Sequence, residues 1–297
     1  MAFPTETVYG LGADATRAEA VIGIYGAKER PRFNPLISHI ASLEDALAEG
    51  DFGDDALKLA RSFWPGPLTL VVPTSRTCSV SDLARAGLDS IGLRIPDHPI
   101  ARELLKRVGR PVAAPSANRS GRVSPTAAAH VLGDLDGRID AVLDGGASPV
   151  GVESTIVACL DDTPRLLRPG GLPRAEIERV LGKSVSATQV DDTSPRAPGM
   201  LASHYAPRAR VRLNAQDIKP GEAALLFGPE SPRNLAQAAA SMNLSPTGDL
   251  AEAATRLFGS LRQLDRAEVE MIAVSPIPNH GLGEAINDRL QRAAAER

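Results

Sequence analysis

Short apolar runs alternate with amphipathic segments along the first 181 residues, and turns dense in Gly and Pro separate them. A short apolar run bounded by turn residues is typical of a strand in a covered sheet, and an apolar period of about 3.6 residues is typical of a helix. The pattern predicts strands at 68–72, 90–95, 112–114, 141–143 and 155–159. It predicts helices at 18–27, 54–63, 99–108, 125–132 and 173–181, the fourth capped by Ser124 ahead of Pro125.

The pattern changes after Gly182. The next stretch has no sustained period and is rich in Ser, Thr, Pro and Asp, which is typical of a linker. The alternation then resumes, with predicted strands at 210–213, 223–227 and 271–275 and predicted helices at 231–241, 249–264 and 284–295. We therefore expect an α/β domain at 1–182, a linker at 183–208, and a small α/β domain with an open, mostly parallel sheet at 209–297.

The predicted linker contains one conspicuous motif, SHYAP, with Ser203, His204 and Tyr205. The rest of the linker offers no aromatic side chain. We expect a linker with such an anchor to fold back over a site as a lid.

Composition narrows the class of protein. Only Cys78 and Cys159 are present, far apart, so neither a disulfide framework nor a structural zinc site is indicated, and a reducing cytoplasm fits. No apolar run approaches the roughly 20 residues that a membrane-spanning helix needs. The net charge of −3, with 33 basic and 36 acidic residues intermixed, gives no global reason to expect nucleic acid as the main ligand. Aromatic residues, at 3%, leave few stacking platforms for single strands.

The first motif, FPTETVYGLG, places Thr5 and Thr7 just before a turn with Gly10 and Gly12. Hydroxyl groups and exposed backbone N–H groups there could converge on a small polar ligand, although a Thr-rich strand end closed by a Gly turn is also ordinary architecture. Gly10, Gly12 and Ala15 match the G-x-G-x-x-A dinucleotide fingerprint. We reject that match because the preceding strand is short and contains Pro, and no second strand ends in an acidic residue at the required distance.

A cationic stretch follows in AKERPRFNPLISHI, with Lys28, Arg30 and Arg32 next to two prolines. Proline stiffens the chain after each cation, so the motif predicts charges presented from a non-helical loop that suits phosphate groups. A solvated basic loop is the plain alternative. His39 follows in an apolar strand, where a lone His is more often a core residue than a ligand.

Further polar candidates lie at the ends of predicted strands. Arg94, in GLRIP, faces the opposite way from its apolar neighbours and must be paired, either with a substrate carboxylate or with a protein carboxylate. AAPSANRSGRVSPT offers Ser116 and Ser124, the second also explained as a helix cap. GVESTIV offers Ser154 at the start of a strand, and LLRPGG adds Arg168 as another cation for phosphate.

Several catalytic signatures are missing from the sequence. There is no G-x-x-x-x-G-K-[ST] loop, no G-x-S-x-G elbow and no H-E-x-x-H motif, and the five His residues never fall at metal-ligand spacing. Catalysis by a Ser or Cys nucleophile is therefore unsupported.

The motifs together carry a resemblance. FPTETVYGLG, the K-x-R-P run at 28–31, NPL at 34–36, FWPGPLT at 63–69, GLRIP, APSAN, ESTI and LRPGG stand in the order seen in the threonylcarbamoyl-AMP synthase (YrdC-like) family. SHYAP and GLGEAINDRLQRAA resemble its longer, two-domain members. The resemblance implies a twisted mixed-sheet YrdC-like catalytic domain followed by a small Rossmann-like α/β domain.

The family combines L-threonine, bicarbonate and ATP into threonylcarbamoyl-AMP and pyrophosphate, with Mg²⁺ accompanying ATP. A separate tRNA threonylcarbamoyl transferase then uses the product to modify the adenosine beside the anticodon, so tRNA binding by this chain is expected to be weak or indirect. The attack of a carbamate oxygen on the α-phosphorus needs alignment and charge neutralisation more than an enzyme nucleophile, which fits the cationic motifs.

The resemblance also implies roles for individual residues. The catalytic cations would be Lys28 and Arg30, with Lys28 on a phosphate or on bicarbonate. The threonine site would consist of Thr7, His39, Arg94, the Ala114 backbone and Ser154. The ATP site would consist of Arg30, Asn34, Ser116, Ser124, Arg168 and Tyr205. No protein side chain is implied as a metal ligand.

The sequence leaves two alternative functions open and departs from the family pattern at one place. A basic cavity could belong to an RNA-binding module, and a related domain of hydrogenase-maturation proteins transfers carbamoyl to another acceptor beside zinc and acylphosphatase-like modules that have no counterpart here. Family members usually carry an opening helix and the start of a strand before FPTETVYGLG, whereas here only Met1 and Ala2 precede Phe3. Loss of those elements is expected to expose core surface and to lower stability by several kcal/mol.

Overall fold

The computed structural model describes residues 1–31, 33–187, 205–267 and 269–295. Residues up to 187 form one α/β unit whose main sheet has eight strands. The strands of this unit are β1 (Ala2–Phe3), β2 (Gly10–Leu11), β3 (Ala13–Asp14), β4 (Ile37–His39), β5 (Leu68–Pro73), β6 (Ser90–Arg94), β7 (Val112–Ala113), β8 (Thr155–Ala158), β9 (Arg165–Arg168) and β10 (Ser186–Ala187).

The main sheet has the order β10-β9-β8-β5-β6-β4-β7-β3, and β1 pairs with β2 in a separate antiparallel ribbon. It is mixed: β8 runs parallel to β5 and β4 parallel to β6, whereas β5 with β6 and β8 with β9 are antiparallel. The helices of the unit are α1 (Ala18–Lys28), α2 (Leu43–Glu49), α3 (Asp54–Phe63), α4 (Asp82–Arg85), α5 (Pro99–Val108), α6 (Ala128–Leu135) and α7 (Arg174–Leu181). The predicted mixed-sheet α/β class is confirmed.

Residues from 205 onward form a second, smaller α/β unit. Its strands are β11 (Arg210–Arg212), β12 (Ala223–Leu226), β13 (Ala240–Asn243) and β14 (Met271–Val274), and its helices are α8 (Leu250–Asp265) and α9 (Leu282–Ala294). The order β11-β14-β12-β13 is parallel throughout, as predicted for a small Rossmann-like domain. The apolar faces of α8 and α9 cover this sheet.

Three local predictions are wrong. The run 141–143 is not a strand, because only Val142 bridges to Ala2. The helix predicted from 125 begins at Ala128. Two hydrogen bonds hold the preceding stretch outside the helix, because the Pro125 carbonyl accepts from the Tyr9 amide and the Ser124 hydroxyl donates to Glu153. Ser124 is therefore not the helix cap. Residues 231–241 form only a 3₁₀ turn at Leu235–Gln237, and the segment after it pairs with β12 as an edge strand.

The two units share a buried boundary. Tyr205, at the start of the second unit, packs in the same apolar cluster as Val8 and Val152 of the first. Polar contacts join the units as well, since Thr255 donates to the Pro149 carbonyl and Arg262 pairs with Asp134 at 2.6 Å. The boundary lies beside the ends of β2, β8 and β9, where the candidate site residues gather.

Candidate functional site

A cavity opens where the FPTETVYGLG turn, the carboxyl ends of β4, β6 and β7, the start of β8 and the end of β9 meet. Segments far apart in the chain contribute to it, as is usual for ligand sites at the ends of strands in α/β folds. Nine of the twelve residues implied as site residues line it, together with Thr5, Val8, Gly10, Ile37, Pro115 and Glu153. The nine are Thr7, Arg30, His39, Arg94, Ala114, Ser116, Ser154, Arg168 and Tyr205.

The turn of the first motif is held by its own hydroxyl groups. The Thr5 Oγ1 donates to the Val8 carbonyl at 2.6 Å and lies 2.9 Å from the Thr7 Oγ1. Both glycines lie in close packing: a Cβ on Gly10 would lie 3.2 Å from that of Ala114, a tight contact, and one on Gly12 would lie 2.7 Å from the Phe3 ring, which would have to move. The turn therefore presents the Thr7 hydroxyl to the cavity.

Arg94 and His39 face each other across the paired strands β4 and β6. The Arg94 Nη2 donates to the Glu6 carboxylate at 2.6 Å, and its Nε donates to the Gly66 carbonyl at 3.3 Å. The sequence left two possible partners for Arg94, a substrate carboxylate and a protein carboxylate. The structure shows the protein carboxylate, and Arg94 also lines the cavity. Burial, and then the Arg94 charge, lowers the pKa of His39 to about 3, so the imidazole is neutral.

Arg30 enters the cavity just beyond the end of α1. Glu29 adopts a left-handed conformation, with φ of 54°, and turns the chain out of the helix, which places Arg30 outside it. The Arg30 Nη2 donates to the Pro35 carbonyl, and the Nε has no partner among the described residues. Burial lowers the pKa of Arg30 to about 10, so the guanidinium remains charged at neutral pH.

Lys28 occupies a different environment from the one expected. It lies in the last turn of α1 and not in a loop, and it is buried. Its ammonium donates to the carbonyl groups of Ser116 and Asn118 and so ties α1 to the APSAN segment. Burial, and then the neighbouring Arg30, lowers its pKa well below the usual value. Lys28 does not line the cavity, and Arg32 lies outside the described residues.

Two other implied ATP contacts, Asn34 and Ser124, are not among the residues that line the cavity. Asn34 is buried, and neither its amide oxygen nor its amide nitrogen has a partner among the described residues. Ser124 is fully buried and donates to the Glu153 carboxylate. An unpaired buried amide is costly, so Asn34 is the stronger candidate for a ligand contact.

Ser154 and Arg168 form one linked group at the start of β8 and the end of β9. The Ser154 Oγ lies 2.8 Å from the Thr69 Oγ1, and the Arg168 Nη2 donates to the Ser154 carbonyl at 2.9 Å and to its Oγ at 3.2 Å. Burial lowers the pKa of Arg168. The group therefore places one hydroxyl and one guanidinium on the same wall.

Tyr205 closes the other side of the cavity from the second unit. Its ring stacks on Phe258, with centroids 5.6 Å apart, and its backbone has a φ of 61°. Burial, and then the Glu153 charge, raises the pKa of its hydroxyl, which stays protonated. His204 and residues 188–203 of the expected lid lie outside the described residues.

The lining is cationic overall. Arg30, Arg94 and Arg168 face one lining carboxylate, Glu153, with Glu6 behind Arg94. Sequence reasoning missed both carboxylates, although each stands inside a motif, FPTETVYGLG and GVESTIV, next to an implied ligand. The available signal for each was an acidic residue directly before an implied hydroxyl ligand, Glu6 before Thr7 and Glu153 before Ser154. A partly neutralised cluster of arginines with hydroxyl donors suits a ligand that carries phosphate and carboxylate groups.

In the part of the chain that the structure describes, none of the helices has the length and apolarity needed to cross a membrane.

Comparison with known proteins identifies the family. Residues 1–170 match a family model described as Telomere recombination, and residues 172–295 match one described as Threonylcarbamoyl-AMP synthase, C-terminal domain. The threonylcarbamoyl-AMP synthases of Bacillus subtilis and Pyrococcus abyssi are 42% and 43% identical to this chain over its whole length and over 90% and 91% of their own.

A solved structure agrees with this match. The crystal structure of the P. abyssi protein Sua5 complexed with L-threonine is 40% identical, covers 99% of this chain and 89% of its own, and superposes with a TM-score of 0.89. E. coli YciO, at 22% identity and a TM-score of 0.50 over 57% of this chain and 82% of its own, shares the fold. The chain belongs to the threonylcarbamoyl-AMP synthase family.

Proposed function

We propose that this protein is an L-threonylcarbamoyladenylate synthase, which converts L-threonine, bicarbonate and ATP into threonylcarbamoyl-AMP and pyrophosphate. The observation that carries the proposal is the cavity lined by three arginines, one carboxylate and the hydroxyl groups of Thr7 and Ser154. Relatives named as this synthase match the chain over its whole length, and a structural neighbour was solved with L-threonine.

The reaction can be written so that all atoms balance. The threonine ammonium group first loses a proton to solvent, and its neutral nitrogen then attacks the carbon of bicarbonate. A C–N bond forms, a C–O bond breaks, and water leaves to give the N-carboxylate. An oxygen of that carboxylate attacks the α-phosphorus of ATP, a new P–O bond forms, and pyrophosphate leaves. No protein nucleophile is required, because positioning and charge neutralisation lower the barrier for phosphoryl-type transfer.

The residues of the cavity divide between the two substrates. Arg94, whose charge is already partly balanced by Glu6, would hold the threonine carboxylate, with Thr7, neutral His39, the Ala114 backbone and Ser154 around the rest of the amino acid. A neutral imidazole adds no charge against the amino group of threonine, which must lose its proton to act as a nucleophile.

The other cations would hold the nucleotide. Arg30 and Arg168 supply planar guanidinium groups for phosphate oxygens, and their burial strengthens each electrostatic contact. The unpaired Asn34 amide, the Ser116 position and the Tyr205 ring would complete the ATP site. Lys28 and Ser124 would act from behind the wall, through the APSAN backbone and through Glu153.

Mg²⁺ would enter with ATP as part of the substrate. Among the described residues, no three His, Cys, Asp or Glu side chains cluster as metal ligands. The ion's role would be to neutralise phosphate charge while Arg30 and Arg168 orient the chain of phosphates. The product is a reactive mixed anhydride, so a separate transferase that moves the threonylcarbamoyl group to tRNA is the expected consumer.

The test uses the purified full chain with MgATP, ¹⁴C-bicarbonate and L-threonine. We expect pyrophosphate release and labelled nucleotide product in equal amounts, both dependent on threonine. Omission of threonine, or its replacement by L-valine, is the matched control, because valine has the same shape without the hydroxyl. Release of inorganic phosphate, or pyrophosphate release that does not need threonine, would contradict the proposal.

A further inference from the structure

Arg289, on α9 of the second unit, is the largest fully buried side chain in the described part of the chain. Its Nε donates to the Glu153 carboxylate at 2.9 Å, and its Nη1 donates to the Pro169 carbonyl and to the Asp288 carboxylate, each at 2.7 Å. The guanidinium carbon lies 5.2 Å from the centre of the Tyr205 ring. One side chain therefore touches two residues that line the cavity and one that follows Arg168.

Arg289 contacts two stretches of the first unit that pack against each other, one at the start of β8 and one at the end of β9. Glu153 immediately precedes Ser154 at the start of β8, and Pro169 immediately follows Arg168 at the end of β9. These two stretches pack without space between them, because a Cβ on Gly170 would lie 2.4 Å from the Glu153 carbonyl oxygen. A group that binds both stretches determines where Ser154 and Arg168 point into the cavity.

We propose that Arg289 is a positioning residue for the active site, so that the C-terminal domain completes the site and does more than cover it. Through Glu153 and the Pro169 carbonyl it holds the wall that carries Ser154 and Arg168, and through its face it holds the Tyr205 ring. The inference rests on the proposed function for its kinetic readout, and it goes beyond that function because no substrate contact is needed for the role of Arg289.

Electrostatics explains why an arginine is needed at this position. Glu153 is buried and faces Arg289, Arg168, the Ser124 hydroxyl and the Tyr205 hydroxyl group. Burial alone would raise the pKa of Glu153, but the charges of Arg289 and then Arg168 outweigh it and the pKa is lowered. Without Arg289, Glu153 would take up a proton more readily or draw Arg168 away from the phosphates.

A lysine cannot reproduce these contacts. The planar guanidinium donates in three directions within one plane and presents a flat face to Tyr205, whereas an ammonium is a single strongly hydrated point. The pair to compare with it is Arg174 with Glu284, which also joins the first unit to α9 but whose members do not line the cavity. Glu284→Gln therefore weakens docking of the same helix without touching the site wall.

The experiment compares full-length Arg289→Met, Arg289→Lys and Glu284→Gln with the unchanged protein in the threonine-dependent pyrophosphate assay from pH 5.5 to 9. We expect Arg289→Met to lower kcat/KM by about 100-fold and Arg289→Lys by at least about 10-fold, while Glu284→Gln stays within about 3-fold. In Arg289→Met the acid limb of the profile should move to higher pH, because Glu153 protonates more easily.

Hydrogen exchange on the same proteins gives a readout that does not require turnover. The Gly171 amide donates to the Glu153 carbonyl at 2.9 Å, within the wall that Arg289 holds. We expect this amide to exchange faster in Arg289→Met and at the unchanged rate in Glu284→Gln. If Arg289→Met unfolds, the kinetic and hydrogen-exchange measurements are made on Arg289→Lys instead.

If Arg289→Met and Glu284→Gln lower kcat/KM equally, Arg289 acts only as a contact that docks α9, and the inference is wrong. Unchanged kcat/KM, pH profile and Gly171 exchange in Arg289→Met would overturn it as well. The proposed function fails separately, in the unchanged protein, if pyrophosphate release does not depend on threonine. In that case, faster Gly171 exchange confined to the Arg289 variants would still support positioning of the wall.

Discussion

The Arg94 guanidinium donates to the Glu6 carboxylate at 2.6 Å, and the two side chains are only 4% and 7% exposed. Arg94 comes from β6, whereas Glu6 comes from the first turn of the chain, so the pair joins two motifs at the cavity. The second Glu6 oxygen has no partner among the described residues. The carboxylate of the pair is therefore incompletely satisfied, and its free oxygen can accept a hydrogen bond from a donor group.

Arg94→Lys is expected to weaken threonine binding. An ammonium cannot donate to Glu6, the Gly66 carbonyl and a substrate carboxylate in the geometry of the guanidinium. The loss of one charge-assisted hydrogen bond corresponds to about 2 kcal/mol, or a KM for threonine raised about 30-fold. Steady-state kinetics with threonine varied at saturating ATP measures it. Arg107→Lys, in a surface pair with Glu103, is the matched control; an unchanged KM in Arg94→Lys would remove Arg94 from the threonine site.

Arg30→Ala is expected to abolish threonine-dependent pyrophosphate release while the fold survives. The guanidinium is buried and charged, and its Nε has no partner among the described residues. We therefore expect it to contribute more to the binding of a charged ligand than to the stability of the fold. Loss of such an electrostatic contact lowers kcat by about 100-fold or more. Pyrophosphate assays and thermal unfolding of the same samples separate the two effects. Turnover within about 3-fold of the unchanged protein would exclude this role.

His39 is expected to make the folded state less stable as the pH falls. Its pKa in the fold is about 3, below the usual value of 6.5, so the unfolded chain binds a proton that the folded chain does not. Stability is therefore complete above about pH 6.5 and declines toward pH 3, with about 2 kcal/mol lost by pH 5. His39→Gln should remove that part of the decline. Urea unfolding at pH 7 and pH 5 measures it.

The control for His39 is His280→Gln, which changes an exposed histidine of the second unit. That variant should keep the full decline between pH 7 and pH 5. If His39→Gln loses as much stability as the unchanged protein over this interval, His39 does not stay neutral in the fold.

Gly170→Ala is expected to damage the site from a position that touches no substrate. Its Cβ would lie 2.4 Å from the backbone atoms of Glu153, Ser154 and Thr155, and backbone cannot move aside as a side chain can. We expect a loss of about 1–3 kcal/mol in stability and a clear fall in kcat/KM. Gly133→Ala, on α6 with open space at its Cβ, should be neutral or slightly stabilising. Equal behaviour of the two variants, in unfolding and kinetics, would contradict the prediction.

Much of the fold could be predicted from sequence, because the face that a helix or strand buries sets the period of apolar residues along that element. The sequence pattern predicts the helices Asp54–Phe63 and Pro99–Val108 at their observed bounds, and β5 and β6 to within one residue. The edge strand Ala240–Asn243 could not be predicted, since its pattern is compatible with a helix and only pairing with β12 selects the strand.

The candidate site shows the same division between local and distant causes. The sequence alone determined which chemistry is available: the order of the motifs, the arginines, the hydroxyl residues and the alternation that makes an α/β chain. Only the tertiary structure decided how each charge is partnered. It committed Lys28 to two carbonyl groups, joined Arg94 to Glu6, and brought Arg289 from the last helix to Glu153. Such pairs depend on contacts between distant segments in a buried, weakly screened interior, and no local pattern in the chain records them.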